Sequence, residues 1–296
     1  MRRFGWLLAV AACAHAESAA FRVSSDLVLV NATVLDAAGR PVTGLTAERF
    51  RLFDGGARQR IATFAEEETP VSVVLVADVS HSMRGKLAAC GQAAAELART
   101  AMPGDEFALV TFADQPRLAA GWTRDGAAVA AGLAQEQAAG TTALFDALLL
   151  AAQYAGHARN RRRVVLVVSD GGDNHSRYTA REVRWRLEES GPELYAVAIG
   201  DSGYADPYGD EGPGTAALAE LCARGAGRYV TVDDASQVRE AIGRISRETR
   251  SRYVLGYRPT RRIGAGRLHR VEVRVTPAAG LSRVSVSWRR GWREPE

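Results

Sequence analysis

Long hydrophobic runs are scarce in this 296-residue chain. Past the N-terminus no apolar stretch approaches the ~18–20 residues of a membrane-crossing helix, so no such span is expected there. Cysteine is almost absent: three in all, Cys13, Cys90 and Cys222. That excludes a disulfide-dense scaffold and any zinc-type Cys/His cluster. There are no internal repeats and no low-complexity linkers, which argues against a solenoid and against wholesale disorder. Several signatures of catalysis and nucleotide binding are missing too. No Gly-x-Ser-x-Gly elbow occurs, so an α/β-hydrolase is disfavoured. No Gly-x-Gly-x-x-Gly and no P-loop occurs, so nucleotide binding lacks support. Neither sign of charge dominates: 38 Lys and Arg face 34 Asp and Glu, a formal balance of +4. The basic residues are scattered among acids, which argues against nucleic acid as a partner. What remains, 47% apolar and 24% charged residues, is the composition of a globular protein.

The N-terminus reads as an export signal spanning residues 1–16. Arg2-Arg3 form a short positive region, Phe4 to Ala12 an apolar core too short to span a bilayer, and Ala14-His15-Ala16 a small-x-small cleavage pattern before Glu17. Val10-Ala11-Ala12-Cys13 also resembles a lipobox, which would make Cys13 a lipid-anchored first residue and the chain's one link to a membrane. The expected location is outside the cytoplasm: periplasm, envelope or medium. Cys90 and Cys222 fall in helical patterns and read as small buried hydrophobes, with a disulfide between them as the alternative.

Three zones follow. Residues 21–67 read as strands and turns: Val28, Val30, Ala32 and Val34 alternate with more polar neighbours, Thr46–Phe50 suits one helical turn, and Asp54-Gly55-Gly56 marks a hairpin between Phe50–Phe53 and Ile61–Phe64. Residues 70–246 alternate apolar runs (71–77, 106–112, 164–169, 194–200, 228–232) with helical patterns (86–102, 124–134, 142–155, 179–189, 215–224, 236–249). Strands apolar on both faces and separated by helices imply a doubly wound, mostly parallel α/β sheet covered on both sides. Residues 252–296 return to strands, with Val271, Val273 and Val275 on one face. Each terminal zone alone is a marginal sheet. The expectation is that both ends pack into one small β-sandwich with the α/β domain inserted between them.

The chemistry concentrates at Asp78-Val79-Ser80-His81-Ser82, directly after the apolar run 71–77. Oxygen side chains at alternate positions past a strand end can converge on one point. Three such donors with a single charge would leave a divalent cation under-neutralised and attractive to an outside carboxylate. The same five residues equally suit a carboxylate capping a helix and serines solvating a turn. Asp170 follows another apolar run, 164–169, and Gly140-Thr141-Thr142 opens the helix at 142–155. Strand ends of a parallel sheet are where binding residues collect.

Asp-x-Ser-x-Ser, then Gly-x-Thr opening a helix, then a strand ending in Ser169-Asp170-Gly171 resembles the von Willebrand factor type A domain and its metal-ion-dependent adhesion site. Carried over by position, the resemblance implies Asp78, Ser80 and Ser82 as first-loop ligands, Thr142 as the second-loop hydroxyl and Asp170 as the third-loop carboxylate. Thr141 departs from the second glycine common at that position, while Thr142 is retained. The flanks Asn31–Phe64, Tyr253–Tyr257 and Gly291-Trp292 resemble more weakly an exported, Acidobacteria-type bacterial subgroup of the family. The implied cofactor is a divalent cation, most simply Mg²⁺, with Mn²⁺ and Ca²⁺ suited to the same donors. The implied partner is a protein supplying an Asp or Glu carboxylate to the metal, and the implied role is adhesion rather than catalysis. Two alternatives use the same residues: a metal-dependent hydrolase, and an envelope protein whose ion serves only stability. Asp78-Val79-Ser80 lacks the second aspartate of an aspartyl-phosphate phosphatase.

Further residues invite weaker readings. His81 and His175 flank the motif and would make binding pH-dependent, or are solvated loop residues. Asp114 and Asp173 read as outlying specificity residues or surface acids. Asp201, Asp206, Asp210 and Glu211 form an acidic excursion: a specificity loop, a weak Ca²⁺ contact or a solvated loop. Arg161-Arg162-Arg163 read as a solvated helix end.

Overall fold

A computed structural model describes residues 27–170, 172–200, 213–225, 227–261, 268–277, 283–288 and 291–293. The proposed export signal, Cys13, Gly171 and the acidic excursion at 201–212 lie outside them. The chain begins with four strands, β1 (Val28–Asp36), β2 (Phe50–Asp54), β3 (Ala57–Gln59) and β4 (Ile61–Glu68). An alternating section follows: β5 (Val71–Asp78), α1 (Leu87–Arg99), β6 (Glu106–Phe112), β7 (Pro116–Thr123), α2 (Gly126–Ala134), α3 (Leu144–Ala155), β8 (Arg162–Ser169), α4 (Ala180–Ser190), β9 (Glu193–Ile199), α5 (Pro213–Arg224), β10 (Tyr229–Val232) and α6 (Val238–Glu248). It closes with β11 (Ser251–Tyr257), β12 (Leu268–Val275), β13 (Val284–Trp288) and β14 (Gly291–Arg293).

The central sheet has the order β10-β9-β8-β5-β6-β7. All neighbours run parallel except β7, which pairs antiparallel with β6. Strand β5 shows why the sheet is covered on both faces. Val71, Val73, Leu75 and Ala77 point into one apolar layer with α1, α2 and α6, while Val74 and Val76 point into another with α3, α4 and α5. The period of two along a strand sends successive side chains to opposite faces, so such a strand must be apolar throughout. The inner side of α1 is mostly small, with Ala89, Cys90, Ala93 and Ala94 all buried. Both cysteines are buried and free, and burial pushes both thiols well above the usual range. They act as small apolar residues.

From β5 the chain crosses to β6 on one side and later returns to β8 on the other. The switch in direction leaves a crevice at the C-terminal ends of β5 and β8, where a doubly wound sheet binds its ligands. Strand β7 was not apparent in the sequence. Pro116–Thr123 carries no strict alternation, and as an antiparallel edge strand it needs no second apolar face.

The terminal strands interleave. One four-stranded sheet has the order β13-β1-β11-β4 and the other β14-β12-β2-β3, so each draws on both ends of the chain. A common apolar cluster lies between them, with Val30, Ala32, Val34, Phe50, Leu52, Tyr253, Leu255, Val271 and Val273. Phe50, Phe64 and Tyr253 pack with ring centroids 4.9–5.6 Å apart. The hairpin at Asp54-Gly55-Gly56 differs from expectation. Both glycines have positive φ, +56° and +82°, and the turn joins β2 to the short β3 rather than to residues 61–64. The chain then crosses to the other sheet, where Ile61 pairs with Tyr257. The helical turn expected after Thr46 is a 3-10 turn, Ala47–Arg49, without a side-chain cap.

A buried ion pair joins the sandwich strand β11 to the α/β section. The Arg250 guanidinium, on the link from α6 to β11, lies 2.7 Å from Oδ2 of Asp105, ahead of β6. Asp105 also accepts the Val71 and Met102 N–H groups.

Candidate metal centre

Asp78 ends β5 with its side chain fully buried. Its Oδ1 accepts the Ser80 N–H at 2.9 Å, and its Oδ2 accepts the Ser169 hydroxyl at 2.5 Å. Burial pushes its pKa up to about 6, and nearby Asp170 adds to the rise. The Ser169 and Ser80 hydrogen bonds oppose it. Dehydration outweighs hydrogen bonding here, so a neutralising cation would relieve the site.

Ser80 is buried and Ser82 exposed, with hydroxyls 3.0 Å apart. Between and beyond them the chain makes a 3-10 turn, His81–Met83, anchored by Met83 in the apolar layer. The second loop is laced to the first. The Ala139 N–H donates to the Val79 carbonyl and the His81 N–H to the Gly140 carbonyl, each at 3.0 Å. Gly140 has φ +80°, and a Cβ there would lie 2.7 Å from Oδ1 of Asp114. Only glycine combines that backbone with that approach. Asp114 uses the space to accept both the N–H and the hydroxyl of Thr141, which hold its carboxyl below the usual range.

Thr142 is buried at the mouth of α3. Its N–H donates to Asn174 Oδ1 at 2.8 Å, and its carbonyl accepts the Asn174 and His175 N–H groups. The third loop is thereby tied to the second. Asp170, just past β8, is mostly buried, and Lys86 Nζ lies 3.6 Å from its Oδ2. Of the five residues singled out in the sequence, Asp78, Ser80 and Ser82 are joined in one hydrogen-bonded loop. Thr142 and Asp170 stand on loops at the same strand ends. His81 and His175 are exposed. Asp173 accepts the Ser176 hydroxyl of its own loop and the Phe145 N–H of α3.

Other contributors were not among the candidate ligands. Ser169 donates to Asp78 from 91 residues away. Asp146, buried on α3, accepts the Arg177 N–H and Nε and the Tyr178 N–H, which pins the third loop. Beside that pin lies a groove of about 860 Å³ between α3 and α4, walled in part by Leu149, Arg181 and Trp185. Arg161-Arg162-Arg163 also differ from expectation, since Arg162 is buried in β8 and paired with Glu193.

Among the described residues no three His, Cys, Asp or Glu side chains gather around one point. A cation at these loops would therefore be held by hydroxyls as much as by carboxylates. Two carboxylates and three hydroxyls are hard oxygen donors suited to Mg²⁺, Mn²⁺ or Ca²⁺ rather than to zinc.

Comparison with known proteins gives the arrangement a family. No curated protein sequence matches the chain. A von Willebrand factor type A protein from Catenulispora acidiphila is similar in structure, with TM-score 0.53, 13% identity, and coverage of 82% of this chain and 74% of that one. Proximal thread matrix protein 1 from the mussel byssus is similar with TM-score 0.52 and 17% identity, over 66% of this chain and 50% of that one. At such identities the likeness concerns the fold alone. Residues 73–172, which include all five candidate ligands, match the family described as von Willebrand factor type A domain. Over those residues the α/β section of this chain is similar to the von Willebrand factor type A domain.

Proposed function

We propose that this chain is an exported binding protein that captures a protein partner through a divalent cation, most simply Mg²⁺. Asp78, Ser80, Ser82, Thr142 and Asp170 would hold the ion. The observation that carries the reading is Asp78: a carboxylate fully buried at the sheet's crevice, its pKa raised to about 6, next to a second carboxylate and two hydroxyls. Burying such a charge without a cation is costly. Five protein donors fall one short of the six oxygens that Mg²⁺ favours, and an Asp or Glu of the partner would supply the sixth. When bound, the cation supplies charge to hold that carboxylate. The loops keep the donors in place through their mutual backbone hydrogen bonds.

Export is the second half of the proposal. Among the described residues no helix is long and apolar enough to cross a membrane. The N-terminal pattern supports export, with Cys13 as the anchor if the lipobox is used. The test is capture from a bacterial envelope extract by immobilised chain, in Mg²⁺ or in chelator, with Asp78→Ala beside wild type. Capture that depends on Mg²⁺ and on Asp78 is expected. Capture indifferent to both would sink the proposal.

A further inference from the structure

We propose that Lys86 is a tethered counter-ion that competes with the divalent cation for Asp170 and so sets how readily the site fills. The inference rests on the metal-binding reading above. Gly85 has φ +86°, a left-handed turn that redirects the chain from the 3-10 turn at His81–Met83 into α1. Lys86 follows as the N-cap of α1, its N–H donating to the Met83 carbonyl at 2.8 Å. Lysine is a poor choice there. It offers no oxygen to the unpaired N–H groups of the first turn, and its charge adds to the positive end of the helix dipole. No side-chain cap is made. The ammonium is drawn inward instead, its side chain only 14% exposed, to within 3.6 Å of an equally buried Asp170 carboxylate. A residue that opposes its own helix but faces the candidate centre is placed for the centre.

Charge explains the arrangement. Asp78 and Asp170 are close enough for one to disfavour ionisation of the other. The Lys86 ammonium offsets part of that repulsion when no metal is bound. A divalent cation approaching Asp170 meets a positive charge already there, and must displace it or bind against it. The four-carbon stem of lysine and the strong hydration of its ammonium make withdrawal to solvent feasible, which the rigid fork of an arginine would resist. Lys86 therefore lowers metal affinity while keeping the metal-free loops ordered.

Mg²⁺ titration of the full chain by calorimetry tests this, with wild type, Lys86→Met, Lys86→Arg and Asp78→Ala. Lys86→Met should bind Mg²⁺ about tenfold more tightly, the scale expected for one mostly buried charge pair. Lys86→Arg, which keeps the charge, should bind no more tightly than wild type. Lys86→Met should also melt at lower temperature in chelator and recover in Mg²⁺. Should Lys86→Met misfold by circular dichroism, Lys86→Gln replaces it. A charge-removing variant that binds Mg²⁺ as wild type does, or more weakly, overturns the proposal while leaving the metal reading intact. Wild type that binds no Mg²⁺ overturns both.

Discussion

Replacing Asp78 with asparagine should stabilise the metal-free protein at neutral pH while abolishing its response to Mg²⁺. The asparagine keeps the local bonds: its Oδ1 accepts the Ser80 N–H, and its Nδ2 donates to the Ser169 hydroxyl in place of accepting from it. Only the buried charge is lost. Folding raises the Asp78 pKa from 3.8 to about 6, so between those values the native state binds a proton that the unfolded chain has released. Stability contributed by this group therefore falls as pH rises through that window, and the full penalty applies above it. The displacement corresponds to about 3 kcal/mol. Urea denaturation in chelator should show Asp78→Asn more stable than wild type by up to about 3 kcal/mol at pH 7.5, the gap closing towards pH 4. Saturating Mg²⁺ should raise wild type and leave the variant unchanged, since only a state that binds the ion is stabilised by it. A variant less stable than wild type in chelator at pH 7.5, or a gap that does not change with pH, would refute the reasoning.

Three further outcomes are expected. Gly140→Ala should cost about 1–3 kcal/mol in urea denaturation, because alanine at φ +80° is strained and its Cβ meets the Asp114 carboxylate; Mg²⁺ affinity should fall with it. Asp105→Ala strands the buried Arg250 guanidinium and frees two backbone N–H groups, so a loss of about 3–5 kcal/mol is expected, and an unchanged melting temperature would exclude the proposed junction. Phe50→Ala removes a ring packed on both Phe64 and Tyr253, and should cost about 3–5 kcal/mol by the same measurement.

Much of the fold was legible because burial leaves a trace in residue type. Val73 to Ala77 are apolar at every position since both faces of β5 are covered, and that alone separates a central parallel strand from an amphipathic one. The residue types of the candidate centre were legible for a related reason: an aspartate and two hydroxyls at alternate positions after such a strand stand at the edge where ligands bind. Strand β7 left no such trace, being half-exposed and at an edge. The interleaving of the sandwich was hidden as well, because alternation says which face of β1 is buried but not that β11 and β13 flank it.

The alternating α/β order, the apolar strands and the kinds of donor at the strand ends can be read from the chain before it folds. Those follow from local pattern, and each is carried by residues a few positions apart. The bond from Ser169 to Asp78, the pairing of Arg250 with Asp105 and the approach of Lys86 to Asp170 emerge with the folded chain. Such pairs join residues whose partners lie 84 to 145 positions away, and a polar side chain carries the same letter whether it meets water or a buried partner. Chain closure brings the partners together, and the cost of leaving a charge buried and unpaired keeps them there.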